Sequence, residues 1–202
     1  MKTVAVISRK GGVGKTTIAH LLCVGAVWNG KAAALLHTDD RSPISCRRPY
    51  HYYDCRNPQN LMERASNLGS RSEAGLVVVD SGGNRPKHDA WIASNVDLVL
   101  IPLTLSPEDV SVALSHSDEL REMASDVRFI INRMPPRTRL SAYDHDLLDQ
   151  LGSADVIGHL GECRATRALL GNDPEDGMKT PPTVVNNAAR SLYRDLTTAV
   201  NV

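Results

Sequence analysis

Apolar residues along the chain fall into short β-branched or aliphatic runs that alternate with longer stretches of helical period. Thr3–Ile7, Ala32–Leu36, Leu76–Val79, Asp97–Ile101, Val127–Ile131 and Val156–Leu160 read as strands, most of them too continuously apolar to have a solvent face. Between them, Thr16–Val27 repeats Ile18, Leu21, Leu22 and Ala26 at helical spacing. Leu61–Leu68 and Tyr143–Leu151 read as helices, and Ala188–Val200 closes the chain with Leu192, Leu196 and Val200 on one face. Pro102 is expected to stop the fourth strand. Ser106 then predicts an N-cap, with Pro107 at the first helical position and Asp109 completing a capping box. Residues 41–58, rich in Arg, Pro and Tyr, read as irregular, and Gly171–Pro182 as a polar loop.

Strands alternating with helices imply an α/β fold: a mostly parallel, twisted sheet with helices on both faces and its site at the carboxyl ends of the strands. A length of 202 residues suits one domain over 1–202. A hydrophobic share of 42% and a charged share of 23% exclude a wholly disordered chain. No apolar run approaches the roughly 18–20 residues of a membrane span, and the start of the chain lacks the pattern of a secretory signal. A cytoplasmic location is expected. Cys23, Cys46, Cys55 and Cys163 show no C-x-x-C spacing; Cys46 and Cys55 flank His51, but that is not a full ligand set, so free thiols are expected.

The formal net charge is zero, which excludes a uniformly basic nucleic-acid binder. The charge is uneven, however. Residues 1–101 carry 13 basic and 8 acidic side chains, and residues 102–202 carry 10 and 15. A local basic surface is therefore available without a global one.

The chemistry concentrates after the first strand, in Arg9-Lys10-Gly11-Gly12-Val13-Gly14-Lys15-Thr16-Thr17. Glycines let backbone N–H groups turn inward around phosphate oxygens. Lys15 adds charge at the β- and γ-phosphates, the Thr16 hydroxyl can ligate Mg²⁺, and the following helix contributes its N-terminal dipole. Strict G-x-x-x-x-G-K-[ST] spacing fails only at the first glycine, where Arg9 stands. Asp80, at the end of an apolar strand and before Ser81-Gly82-Gly83, is placed to hold Mg²⁺.

The string Lys10–Thr17 is a deviant Walker A motif and resembles the ParA/MinD superfamily of P-loop ATPases. Gly30-Lys31, Leu76–Asp80, the Asp97–Ser106 stretch and Asn132-Arg133 follow in family order. With the first strand starting two residues after Met1, the expected format is the short plasmid-partition type without an N-terminal DNA-binding domain. The resemblance implies ATP and Mg²⁺ as cofactors, with Gly11, Gly12, Val13, Gly14, Lys15, Thr16 and Thr17 binding nucleotide and Gly82 giving a backbone N–H near the γ-phosphate. It implies catalytic roles for Lys10, Lys15 and Asp39: Lys10 would reach the phosphates of a partner subunit, and Asp39 would orient the attacking water. Thr16 and Asp80 would hold the metal, Asn132 would read the adenine, and Pro102 would pack on the base. The family pattern D-x-D-P-Q is His37-Thr38-Asp39-Asp40-Arg41 here. His37 in place of the first Asp is either a structural strand-end histidine or a change in the hydrolytic switch.

The resemblance further implies a homodimer on ATP binding, nonspecific DNA contact, a centromere-binding or cargo adaptor protein as stimulating partner, nucleoid association, and no membrane anchor. For DNA, Arg133, Arg137, Arg139, Arg190 and Arg194 are candidates, since phosphate contact needs only clustered cations. Alternatives within the same class are an accessory ATPase of conjugative DNA transfer, a positioning ATPase for a protein cluster, and a nucleotide-gated scaffold with little hydrolysis. Tyr50-His51-Tyr52-Tyr53, in a chain with only eight aromatic residues, is either a docking surface or packing at the sheet edge.

Overall fold

Among the described residues, seven parallel strands form one sheet in the order β3-β2-β4-β1-β5-β6-β7, with β1 at the centre. The computed structural model describes residues 1–40, 48–69, 75–82, 85–153, 155–170 and 182–200, apart from a few side chains. The strands are β1 (Lys2–Val6), β2 (Ala32–His37), β3 (His51–Asp54), β4 (Gly75–Asp80), β5 (Leu98–Leu103), β6 (Val127–Met134) and β7 (Val156–Gly161). The helices are α1 (Lys15–Trp28), α2 (Pro58–Gly69), α3 (Pro86–Ala93), α4 (Pro107–Arg121), α5 (Ala142–Leu151) and α6 (Thr183–Val200).

Successive side chains on a strand point to opposite faces, and here both faces are covered. Val4, Val6, Leu35, Val78, Leu100 and Ile130 bury against α1 and α6. Their alternates Ala5, Ile7, Leu36, Val79, Ile101 and Phe129 bury against α2, α3, α4 and α5. Such two-sided burial explains the near-continuous apolar strands in the sequence.

α1 carries nine consecutive buried residues, Ile18–Ala26. One side of it lies on the sheet and the other on α6, whose Val185, Ala189, Leu192 and Leu196 form an apolar stripe. The two helices touch at backbone distance. A Cβ on Gly25 would overlap the carbonyl oxygen of Ala189 and lie 2.6 Å from the Cβ of Tyr193.

Several expectations change. The fourth predicted strand, β5, continues through Pro102 to Leu103. The amide of Val99 donates toward β6, so residue 102 faces the β1 side, and β1 pairs only as far as Val6–Leu100. The N–H that proline lacks is therefore not needed there. Within the stretch read as irregular, His51–Asp54 is a parallel edge strand paired with β2. Its alternation was obscured by flanking arginines and prolines, and residues 41–47 lie outside the described set. Helix α3 is absent from the sequence reading because its eight residues carry little amphipathic pattern; Pro86 starts it. α6 begins five residues earlier than read, whereas most of the Gly171–Pro182 loop lies outside the described residues. Ser106 does cap α4 by accepting from the amide of Asp109, at 3.2 Å. The reciprocal half of that capping box is missing, because Asp109 is bonded to Thr104; the complete box is Ser141–Asp144 on α5.

Gly25→Ala should destabilise the protein by about 2 kcal/mol, since neither backbone can retreat from a packed helix pair. Chemical denaturation measures this, and an unchanged midpoint would contradict the close α1–α6 approach.

Candidate functional site

The glycine loop leaves the end of β1 and turns into α1. Gly14 caps the helix in the left-handed region, at φ 101°, which an L side chain adopts only with strain. No side chain caps this N-terminus, so its first amide groups remain available for an anion. Gly11 and Gly12 are exposed with open space around them, whereas Val13 is buried and anchors the loop. Thr17 opens onto a neighbouring cavity.

β1 and β4 pair in register, Val6 opposite Asp80, which brings the start of the loop to the end of β4. The Asp80 carboxylate is fully buried. Its Oδ1 accepts from the Thr16 hydroxyl at 3.4 Å, and its Oδ2 makes no hydrogen bond among the described residues. Burial pushes its pKa up, offset in part by His37 and Thr16. A buried carboxylate oxygen without a donor, beside a hydroxyl and under an anion-binding loop, fits a hard divalent cation. Thr16 and Asp80 are the residues that could hold it. His37 ends β2 beside them, buried, with Nδ1 3.6 Å from Asp80 Oδ2.

Lys15 donates to the carbonyl oxygen of Lys10 at 3.1 Å, so its ammonium lies over the loop. Lys10 itself is tethered within its own chain: Nζ lies 2.7 Å from Glu108 and 2.8 Å from Asp109, at the start of α4. These two carboxylates push the Lys10 pKa up. Asp109 is fixed in turn by the amide and hydroxyl of Thr104, at 3.1 and 2.5 Å. The sequence marks Asp109 only as a helix-start residue; acidity in a first turn does not reveal a lysine partner 99 positions away.

Asp39 is half-buried beyond β2, and the turn after β4 closes on it. A Cβ on Gly82 would come within 2.9 Å of the Asp39 Cα and 2.6 Å of the Arg85 guanidinium. Arg85 donates to the carbonyl oxygen of Thr38 and lies 3.3 Å from Asp40. The residue at the family's Pro position is thus tied to the turn carrying Gly82.

A cavity of about 710 Å³ opens beside the loop, lined by Gly14, Thr17, Asn132, Gly161, Arg164 and Leu170 among others. That is ample for a nucleoside. Asn132 is buried at its edge, where Nδ2 donates to the Val13 carbonyl at 2.8 Å and Oδ1 accepts from the Arg133 amide at 3.0 Å. Its amide braces the glycine loop. Pro102 is buried in β5 and does not line this cavity.

The arginine candidates separate into two places. Arg133, at a left-handed φ of 55°, lies on the cavity rim, and exposed Arg139 follows it in a 3₁₀ turn; the Arg137 side chain lies outside the described set. Arg190 and Arg194 line a groove at the far end of α1, about 20 Å along a helix of this length. There the Arg190 guanidinium lies over the exposed Trp28 ring, 5.4 Å from its centroid, a cation–π contact.

The fold is that of MinD and ParA-type P-loop proteins, with the glycine loop at the end of the central strand. MinD from Aquifex aeolicus superposes with a TM-score of 0.71 at 19% identity, covering 98% of both chains. A plasmid partition protein from Borrelia burgdorferi, bound to AMPPNP, gives 0.66 at 16%, also over 98% of both. The sequence pattern of the VirC1 protein family matches residues 1–169, and the chain belongs to the VirC1 family. VirC1 proteins from Rhizobium radiobacter and Rhizobium rhizogenes are 28% and 24% identical to it over 172 residues, which cover 78% of this chain and 74% of each relative. Among the described residues, no helix is long and apolar enough to cross a membrane.

One buried group near the site has a clear acid–base consequence. His20, one turn into α1, shares a hydrogen bond between Nδ1 and the Tyr50 hydroxyl, and its Nε2 has no partner among the described residues. Burial, with help from Arg48 and His37, pushes its pKa down to about 3. The unfolded chain takes up that proton near pH 6.5 and the folded chain does not. Stability is therefore full above pH 6.5 and falls as pH drops toward 3. His20→Leu should shrink the difference in unfolding free energy between pH 7 and pH 5 by about 2 kcal/mol, as read by urea titration. An unchanged difference would place the titrating group elsewhere.

Proposed function

We propose that this chain is a partition-type ATPase that dimerises on ATP, holds nonspecific DNA in that state, and hydrolyses ATP to ADP and phosphate when a cargo-bound adaptor protein stimulates it. One observation carries the reading: the open helix N-terminus, Lys15 and the Thr16–Asp80 pair converge at the carboxyl ends of β1 and β4, beside a cavity of nucleoside size. The amide groups of residues 11–16 and Lys15 bind the phosphates. Magnesium held by Thr16 and Asp80 would neutralise charge on the phosphate oxygens. Asp39, in contact with the Gly82 turn, orients the attacking water. MinD of Pyrococcus horikoshii, a fold relative, carries Mg-ADP.

Lys10 supplies the control. In the single chain Glu108 and Asp109 hold it. In the dimer it leaves them for the partner subunit's phosphates, where its charge offsets that developing in phosphoryl transfer. Hydrolysis in this reading is a property of the dimer.

An accessory ATPase of conjugative DNA transfer is the second reading. The sequence Asp40-Arg41-Ser42-Pro43, standing where the family pattern has Pro-Gln, favours it. Stimulation by a relaxase complex rather than by a centromere-binding protein separates the two.

Lys10→Ala should lower stimulated kcat by roughly 10³-fold and weaken the ATP-dependent dimer, while Mg-ATP binding to the monomer persists. Full ATPase activity in this variant would contradict the assignment. DNA binding should require ATP and fall steeply with salt. Replacing Arg190 and Arg194 together by Ala should lower the slope of log affinity against log salt by about two. Binding insensitive to salt would rule out phosphate contact.

A further inference from the structure

Trp28 ends α1 with 42% of its surface exposed, just beyond the run of buried residues Ile18–Ala26. The tyrosines of β3 pack at the sheet edge, Tyr52 between His20 and His37 and Tyr53 under Arg64. Trp28 faces a groove of about 660 Å³ that it lines together with one stripe of α6. Asn187, Arg190, Arg194 and Thr197 recur in that stripe at three- and four-residue intervals, on the side of α6 opposite the buried Val185, Ala189, Leu192 and Leu196. Among the described residues no acidic side chain lines the groove. Asp195 lies 4.0 Å from Arg194 Nε, at the limit of an ion pair, and its carboxylate is turned to Gly158 of β7. The Arg194 side chain, 74% exposed, keeps its charge toward solvent and donates to the Ser191 hydroxyl at 3.2 Å.

We propose that this groove binds single-stranded DNA, one base stacking on the Trp28 ring while Arg190 and Arg194 contact the phosphates on either side of it. The proposal rests on the reading of these two arginines as DNA contacts and narrows it to a strand type and a third residue. The ring decides the ligand. Phosphate contact needs only cations, and an indole adds nothing to it. A flat aromatic face beside two guanidinium groups suits a ligand that is both anionic and planar, and a nucleotide is both. In a duplex the base faces are stacked on one another and closed to a side chain, whereas a single strand presents them. Arg190 stands over the ring at 5.4 Å from its centroid, and the surface still exposed is the area offered to a base. Arg190 and Arg194 are one helical turn apart, about 6 Å along the axis, the scale of one nucleotide step in an extended strand. The exposed amide of Asn187 offers a donor and an acceptor to a base edge. An acidic peptide would satisfy the arginines with its carboxylates and leave the indole unused.

Fluorescence anisotropy of three dye-labelled ligands on the full chain with Mg-ATP tests this: an oligothymidylate strand, the same backbone with abasic sites in place of the bases, and a duplex of equal length. Trp28→Ala should weaken oligothymidylate binding about 5- to 150-fold, the range for losing one base–aromatic stack, and leave the abasic strand and the duplex within about twofold. Trp28→Tyr keeps a ring and should recover most of the loss. No loss in a folded Trp28→Ala protein, or an equal loss for all three ligands, overturns the proposal. The reading of the arginines still stands in that event if Arg190→Ala combined with Arg194→Ala weakens duplex binding; a double variant that binds every ligand like the wild type overturns both. If Trp28→Ala does not fold, Trp91→Phe leaves Trp28 as the sole tryptophan. Oligothymidylate should quench its emission and the abasic strand and duplex should not; the same change with all three overturns the proposal. A polyglutamate peptide that competes as well as oligothymidylate also overturns it and assigns the groove to an acidic protein.

Discussion

The burial of one carboxylate organises this molecule. Asp80 is fully shielded at the end of β4, and an ionised group in that position is costly unless something compensates it. Every element around the site can be understood as a response. β1 and β4 pair so that the glycine loop begins at the same level as Asp80, and α1 starts where the Thr16 hydroxyl can donate to it. β2 ends at the same height, His37 opposite Asp80, and the amide and hydroxyl of Thr38 bond the Asp80 carbonyl at 3.1 and 2.9 Å. The carboxylate is thus framed by three parallel strands that stop together. A parallel sheet permits this because all its carboxyl ends lie on one edge.

The same framing explains why the lysine of the loop is not idle without nucleotide. Glu108 and Asp109 give it a partner, and Thr104 keeps Asp109 in place to do so. The pair is partly exposed, with Lys10 at 30% and Glu108 at 77%, so water and salt weaken it. A tether of this kind defines where the side chain rests without locking it there.

Much of the architecture was legible from hydrophobic pattern alone, because strands buried on both faces leave long apolar runs that few other structures produce. Six of the seven strands could be read in this way. β3 could not: its four residues, His51–Asp54, are an edge strand whose faces are only partly covered, and nothing apolar continues past Tyr53. The glycine loop, Thr16 and Asp80 were legible because their chemistry is local to a strand end. Long-range pairings were not. Neither the Lys10 contacts at residues 108 and 109 nor the bracing of Val13 by Asn132, 119 residues apart, leaves a trace in spacing. Asn132 braces the loop with one N–H and one lone pair, which leaves a second of each on its amide.

The crossing of α1 and α6 at Gly25 has a mechanical meaning. α6 lines the nucleoside-sized cavity with Val184 and Ala188, passes α1 at Ala189, and lines the distal groove with Arg190 and Arg194. It is a rod resting on a fulcrum close to one end of the cavity. Backbone-to-backbone contact leaves no compliant side chain at that point to absorb a tilt. The fixed crossing therefore sets how far Arg190 and Arg194 stand from the glycine loop, about the 20 Å length of α1.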